Sequence, residues 1–394
     1  TAFGVGHQLI KSNLHKRKIC VLMTTTPYST IIGFYGAISA GLTPVIVPSP
    51  KALSTREDIN EKISQLYQNF GDKYGLVVDD QFKSTLNEEN KRRQFDLILP
   101  TTPENYLEKA DFPAIDSTAV KPDDYGFLQF TSASTGRSKA IAISHENIIA
   151  NTRDIKAASN AGDNQIVVAW LPLYHDMGLI GTELLSLINN YETYHMAPFD
   201  FLKRPRRWLE AITRFKGTLS PAPDFAYDYC SQLISEDEMQ GLDLSTWKLA
   251  FNGAEPIQVK TLQRFIEKFS NVGFAASTFL PCYGLAEATL AVSFSPDTRV
   301  PKFLKIDQLS VGFGKKVIVH EEGLLDKNIE KQFVDGTYII SVGTPLPDMN
   351  VWINGEDGKQ VEEGICGEIM ISGSSVAQGY IFDHTEPIHA FQDK

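Results

Sequence analysis

Through about the first 290 residues, short apolar runs alternate with stretches whose apolar positions return every three or four residues. Residues 20–23, 44–47 and 74–78 read as strands. The stretch 28–39 reads as a helix closing at Gly41. Ile59, Ile63, Leu66 and Phe70 line one face of a second helix, with Ser54 and Glu57 as its capping box. Such alternation predicts parallel sheets covered by helices. After about residue 302 the pattern changes: runs at 338–342, 350–353 and 368–371 are strand-like, with turn-rich segments between them. The expected fold is α/β, with two mostly parallel sheets and flanking helices, followed by a small antiparallel, barrel-like β subdomain. Residues 1–294 form the paired α/β part in this reading and 295–394 the β-rich part, with 310–335 as a polar insertion or exposed hairpin.

Composition narrows the classes. The chain has 394 residues, 42% hydrophobic and 22% charged, as in ordinary globular proteins. A net charge of −11 argues against wholesale nucleic-acid binding, which needs a basic face. The cluster Lys203, Arg204, Arg206 and Arg207 reads as a solvated helix start. Residues 24–48 carry no charge, yet Pro27, Gly33, Gly36, Gly41, Pro44 and Pro48 break them into a buried helix and strand rather than a bilayer span. The protein is therefore not expected to be an integral membrane protein. Four cysteines in no zinc-like spacing read as reduced thiols in a cytoplasm.

Five apolar runs each end in a loop of small and polar residues. Run 125–130 leads to Thr131, Ser132, Ala133, Ser134, Thr135, Gly136, Arg137, Ser138 and Lys139, and run 166–173 to Tyr174, His175, Asp176, Met177 and Gly178. Runs 218–220, 248–251 and 277–280 lead to Pro223 and Asp224, to Asn252, Gly253, Ala254 and Glu255, and to Tyr283, Gly284, Leu285, Ala286 and Glu287. In an open parallel sheet, ligands bind beyond the carboxyl ends of the strands, so these loops should share one rim. Loop 131–139 has the chemistry of a polyphosphate cradle, although a hydroxyl-rich surface turn has the same composition and no Walker motif occurs. His175 suits either a structural role or an encounter with a carboxylate. Tyr283 is able to stack on a purine. Glu287 reads as a carboxylate at a helix start, suited to Mg²⁺ on phosphates or to the helix dipole alone.

Together these loops resemble the acyl-adenylate-forming superfamily, and most of all its fatty acyl-AMP ligases. The likeness rests on the 131–139 loop, on the strings 171–181, 223–228, 252–256 and 283–291, and on the later strings 342–347 and 373–380. It implies attack of a fatty-acid carboxylate on the α-phosphorus of ATP, release of pyrophosphate and formation of an acyl-adenylate. By the same resemblance, Thr131, Ser132, Ala133, Ser134, Thr135, Gly136 and Lys139 hold phosphates. Glu287, helped by Thr135, places Mg²⁺. Asn252, Gly253, Ala254 and Glu255 border the adenine with Tyr283, Gly284, Leu285 and Ala286, and His175 sits by the reacting carboxylate. Met177, Gly178, Pro223, Asp224 and Phe225 wall the acyl pocket. The implied acceptor is an acyl carrier protein of a polyketide or peptide synthase.

Two features depart from the pattern. Ala133 and Ser138 stand where many relatives have glycine and proline. The family's ribose-binding Asp, hinge and small C-terminal domain with its Lys fall beyond Lys394, so the chain resembles the large N-terminal domain and is expected to be weakly active by itself. Two other readings compete: a fatty acyl-CoA ligase, which shares the first half-reaction, and a non-catalytic module binding acyl chains or a partner.

Overall fold

The computed structural model describes residues 2–11, 18–48, 74–85, 97–101, 120–130, 140–295, 300–325 and 336–381. They fall into two compact units. The first comprises Thr1–Glu146, Leu173–His175 and Ala377–Asp393, and the second Asn147–Pro172 and Asp176–Val376.

The first unit is built on a seven-stranded sheet. Its strands are β1 (Ile19–Met23), β2 (Thr43–Ile46), β3 (Tyr74–Asp79), β4 (Leu97–Leu99), β5 (Tyr125–Phe130), β6 (Ala140–Ser144) and a closing strand, Gly379–Ile381. The run β5-β2-β1-β3-β4 is parallel. Strand β6 and the closing strand are antiparallel. Strands β1 to β3 are almost wholly buried, which explains their unbroken apolar sequences: a parallel strand covered on both faces has no polar side. The uncharged stretch resolves as expected into helix Pro27–Ser39 followed by β2. Thr26 caps that helix by accepting from Ser29 N–H at 3.2 Å. The expected helix at 59–70 and its capping box lie outside the described residues.

The second unit carries the other mostly parallel sheet. Strands β7 (Ile166–Ala169) and β8 (Glu192–His195) pair in parallel. Parallel bridges from Val167 to Leu219 and from Leu219 to Leu249 carry the ladder on. It continues through β9 (Ala222–Pro223), β10 (Ala250–Gly253) and β11 (Phe279–Gly284), all parallel. Strand β12 (Ala291–Phe294) then returns antiparallel on β11. The core beneath is aromatic: Trp208, Trp247, Tyr227, Phe265 and Phe279 are buried and meet mostly edge to face.

The β-rich part differs from the barrel expected. Strands β13 (Lys302–Ile306), β14 (Val319–Leu324) and β15 (Thr337–Ile340) make a three-stranded antiparallel sheet around β13. A short β16 (Thr344–Pro345) joins β12. Strands β17 (Met349–Asn354) and β18 (Glu368–Gly373) form a separate hairpin. No closed barrel exists among the described residues, because these sheets do not join edge to edge. The polar segment proves to hold β14, largely exposed, in a hairpin with β13. Among the described residues, no helix is long and apolar enough to cross a membrane.

Candidate active site

In the second unit, β9, β10 and β11 run in the same direction, so their exits share one rim of the sheet. The exit of β9 starts helix Asp224–Leu233, with Asp224 at its first position and 4% exposed. The Asn252 side chain donates to Asp224 Oδ1 at 3.1 Å. One exit is thereby tied to the next, joining a residue expected at the adenine to one expected in the acyl wall. Burial pushes the Asp224 carboxyl up to about 6, against hydrogen bonds from Asn252, Thr261 and Gln258 that favour the charged form. The Asn252 Oδ1 atom is buried and has no hydrogen-bond partner among the described residues. Glu255 accepts from Phe225 N–H at 2.7 Å and so satisfies an otherwise orphaned donor at the start of the same helix.

The β10 exit bends sharply, with Ala254 at φ 67°. Strand β10 runs two residues further than the apolar pattern suggested, because Asn252 and Gly253 still pair with Ala222 and Pro223. Gly253 is required there: a Cβ would stand 2.6 Å from Cys282 Sγ and 2.9 Å from its carbonyl oxygen on β11. The Cys282 thiol donates to the Asn252 carbonyl at 3.2 Å, and burial pushes it up to about 12.

Tyr283 and Gly284 lie within β11, and Glu287 lies on the single 3₁₀ turn Ala286–Ala288 rather than at the start of a helix. The chain reverses at once into β12. Burial and the nearby Glu287 carboxylate raise the Tyr283 hydroxyl. The reversal uses a γ-turn at Thr289, with φ 69° and ψ −61° and a Leu290 N–H to Ala288 carbonyl bond of 2.8 Å. A β-branched residue in this conformation stores strain of order 1–3 kcal/mol. Its dihedral signature leaves no trace in the sequence.

Met177 is buried in the middle of the short helical turn Asp176–Gly178, which runs directly into a π-helical turn, Leu179–Leu184. The apolar run 166–173 is a strand only to Ala169; Pro172 has no N–H to extend a ladder. His175 is exposed and belongs to the first unit, where the neighbouring Tyr174 carbonyl accepts from Gln129 at 2.7 Å. Thr131, Ser132, Ala133, Ser134, Thr135, Gly136 and Lys139 lie outside the described residues. The basic cluster is split between two helices: Lys203 ends helix Pro198–Lys203 and Arg204 follows it, whereas Arg206 and Arg207 start helix Arg206–Phe215, paired to Glu210 and Asp200.

Among the described residues, no three His, Cys, Asp or Glu side chains converge as a metal cage. A single carboxylate on the Glu287 tip fits a hydrated Mg²⁺ held largely by phosphate oxygens, and does not fit a protein-caged ion.

A strand-exit rim of this kind is where open parallel α/β sheets bind their ligands. The AMP-binding enzyme family matches residues 2–381, and the chain belongs to it. It is 35% identical over 278 residues to a medium-chain-fatty-acid–[acyl-carrier-protein] ligase of Teredinibacter turnerae, covering 70% of this chain and 42% of that one. It is 29% identical over 380 residues to such a ligase of Moorena producens, covering 94% and 61%. The solved fatty acyl-adenylate ligase from L. pneumophila, in complex with acyl adenylate and pyrophosphate, is similar with a TM-score of 0.82 at 29% identity, over 96% of this chain and 63% of that one. The chain thus spans about half the length of the curated relatives it matches.

Proposed function

We propose that this chain carries the adenylation core of a fatty acyl-AMP ligase. In this reading a fatty-acid carboxylate attacks the α-phosphorus of ATP, pyrophosphate leaves, and the acyl group of the adenylate passes to an acyl carrier protein. The carrying observation is the shared rim of β9, β10 and β11, which gathers Asp224, Asn252, Tyr283 and Glu287 in a chain of the AMP-binding family. The names of the relatives supply the acid and the acceptor.

Each residue then has a task. Thr131, Ser132, Ala133, Ser134, Thr135, Gly136 and Lys139 hold phosphates. Tyr283, Gly284, Leu285 and Ala286 border the adenine with Asn252, Gly253, Ala254 and Glu255. Met177, Gly178, Pro223, Asp224 and Phe225 wall the acyl chain, and His175 orients its carboxylate. Glu287 and Thr135 would hold Mg²⁺, which when bound neutralises charge on the phosphate oxygens. The protein's work is alignment and charge stabilisation. Four free cysteines suit a reducing compartment, and we place the protein in the cytoplasm.

The test is mass spectrometry of the intact protein with ATP, Mg²⁺ and a ladder of fatty acids, with carrier protein or CoA supplied. Acyl-adenylate and acyl-carrier product are expected. Abundant acyl-CoA would move the protein to the CoA ligases. No adenylate at all would leave a binding module.

A further inference from the structure

The hairpin tip that carries Glu287 is held more firmly than a surface turn needs. Inside the tip, Leu285 N–H bonds the Leu290 carbonyl at 2.9 Å, and Ala288 and Thr289 N–H bond Leu285 and Ala286 at 3.0 Å. Gly284 permits this closure, since a Cβ there would lie 2.0 Å from the Leu290 oxygen. Two buried side chains then pin the tip from outside. Asn151 accepts from Ala291 N–H at 3.1 Å and donates to the Ala291 carbonyl at 2.9 Å and to the Ala288 carbonyl at 3.4 Å. Thr289 donates its hydroxyl to the Ser375 carbonyl at 2.6 Å.

The Ser375 turn is itself fixed. Asn147 donates to the carbonyls of Ser374 and Val376 at 2.8 and 3.0 Å. Asn147 and Asn151 stand one turn apart on helix His145–Ala158, so one helix face braces both turns and the Thr289 hydroxyl links them. Asn147, Asn151 and Thr289 are 4%, 0% and 0% exposed.

Thr289 is the element that costs most. Among the described residues, it is the sole β-branched residue with positive φ. Glycine would make the same turn without strain. A strained backbone persists only where its surroundings over-determine it, and such outliers cluster where geometry serves a ligand. We infer that Thr289 is a positioning residue: its strained turn and its bond to Ser375 set where Glu287 and Tyr283 face the nucleotide. This inference rests on the function proposed above. It adds that the precision of the tip, not only its side chains, is functional.

Three variants separate positioning from simple folding. Thr289→Ser keeps the donor. Thr289→Val keeps the shape and loses the donor. Thr289→Gly loses the donor and relieves the strain. On the intact protein, calorimetry with a non-hydrolysable acyl-adenylate mimic is read beside the melting temperature. Thr289→Val is expected to weaken binding about tenfold, with Thr289→Ser within about twofold of the parent. Thr289→Gly should melt no lower than Thr289→Val yet bind as weakly, and both should need more Mg²⁺ for half-maximal ATP–pyrophosphate exchange. If Thr289→Val and Thr289→Gly bind the mimic as the parent does, Thr289 serves the fold alone and the inference is overturned. If Thr289→Val does not fold, Thr289→Gly decides by the same criterion. If the parent itself fails to bind the mimic, the proposed function falls first and this inference with it.

Discussion

Asn252 near the end of β10 donates its side-chain amide to the Asp224 carboxylate at 3.1 Å, joining two strand exits through two buried residues. The bond favours the ionised carboxylate, but burial outweighs it and leaves the carboxyl titrating at about 6.

That balance makes stability depend on pH. The unfolded carboxyl loses its proton near pH 4, whereas the folded one keeps it until about 6. Between those values the unfolded state binds fewer protons, so stability falls as pH rises through the window and is flat above it. Asp224→Asn should remove the slope. Its gain above pH 6 has a ceiling of about 3 kcal/mol, reduced by about 1 kcal/mol for the acceptor the amide gives up. Thermal unfolding of both proteins from pH 4 to 7.5 measures it; a constant difference across the range would contradict the assignment.

Gly253→Ala should destabilise the second unit by about 1–3 kcal/mol, because the new methyl meets Cys282 with no room to move. Adding Cys282→Ala should recover only part of this, since the Cys282 carbonyl oxygen remains 2.9 Å from the methyl. Urea denaturation of the single and double variants gives both numbers.

Trp208 is fully buried, touches the rings of Trp247, Tyr227 and Phe201, and donates its indole N–H to Ser220 at 2.8 Å. Trp208→Ala should cost about 3–5 kcal/mol. Trp208→Phe keeps most of the volume and should cost less. Guanidinium melts of the two variants would rank them.

Thiol chemistry should be selective. Cys20 and Cys230 are buried; Cys282 and Cys366 are both half-buried, but the Cys282 thiol is pushed up to about 12 and donates to the Asn252 carbonyl. Alkylation at pH 8 followed by peptide mass spectrometry should mark Cys366 first, and early marking of Cys282 would contradict the burial argument.

Much of this architecture was legible in the chain. Unbroken apolar runs at 20–23, 44–47 and 74–78 became β1, β2 and β3 within a residue at either end, because strands buried on both faces advertise themselves. The exits after β9, β10 and β11 were legible in outline, as small polar residues that follow apolar runs. Strand length was not. Strand β10 continues through Asn252 and Gly253, and β11 through Tyr283 and Gly284, because ladder bonds depend on neighbours distant in sequence. Glu287 looked like a helix start for the same reason: the chain beyond it takes its path from the pairing of β12 with β11. The braces Asn147 and Asn151 were invisible, as polar residues on a helix read as solvent-facing until the turns they hold are known.

The cross-bonds between the β9 and β10 exits also bear on how such a protein changes over generations. Asn252 reaches Asp224, and Glu255 reaches back to Phe225, so each exit completes the other. A graft that imports one of these loops from a relative would strand the bonding partners of the other. The two loops are best exchanged as one linked block, and natural drift in either should have to move both together.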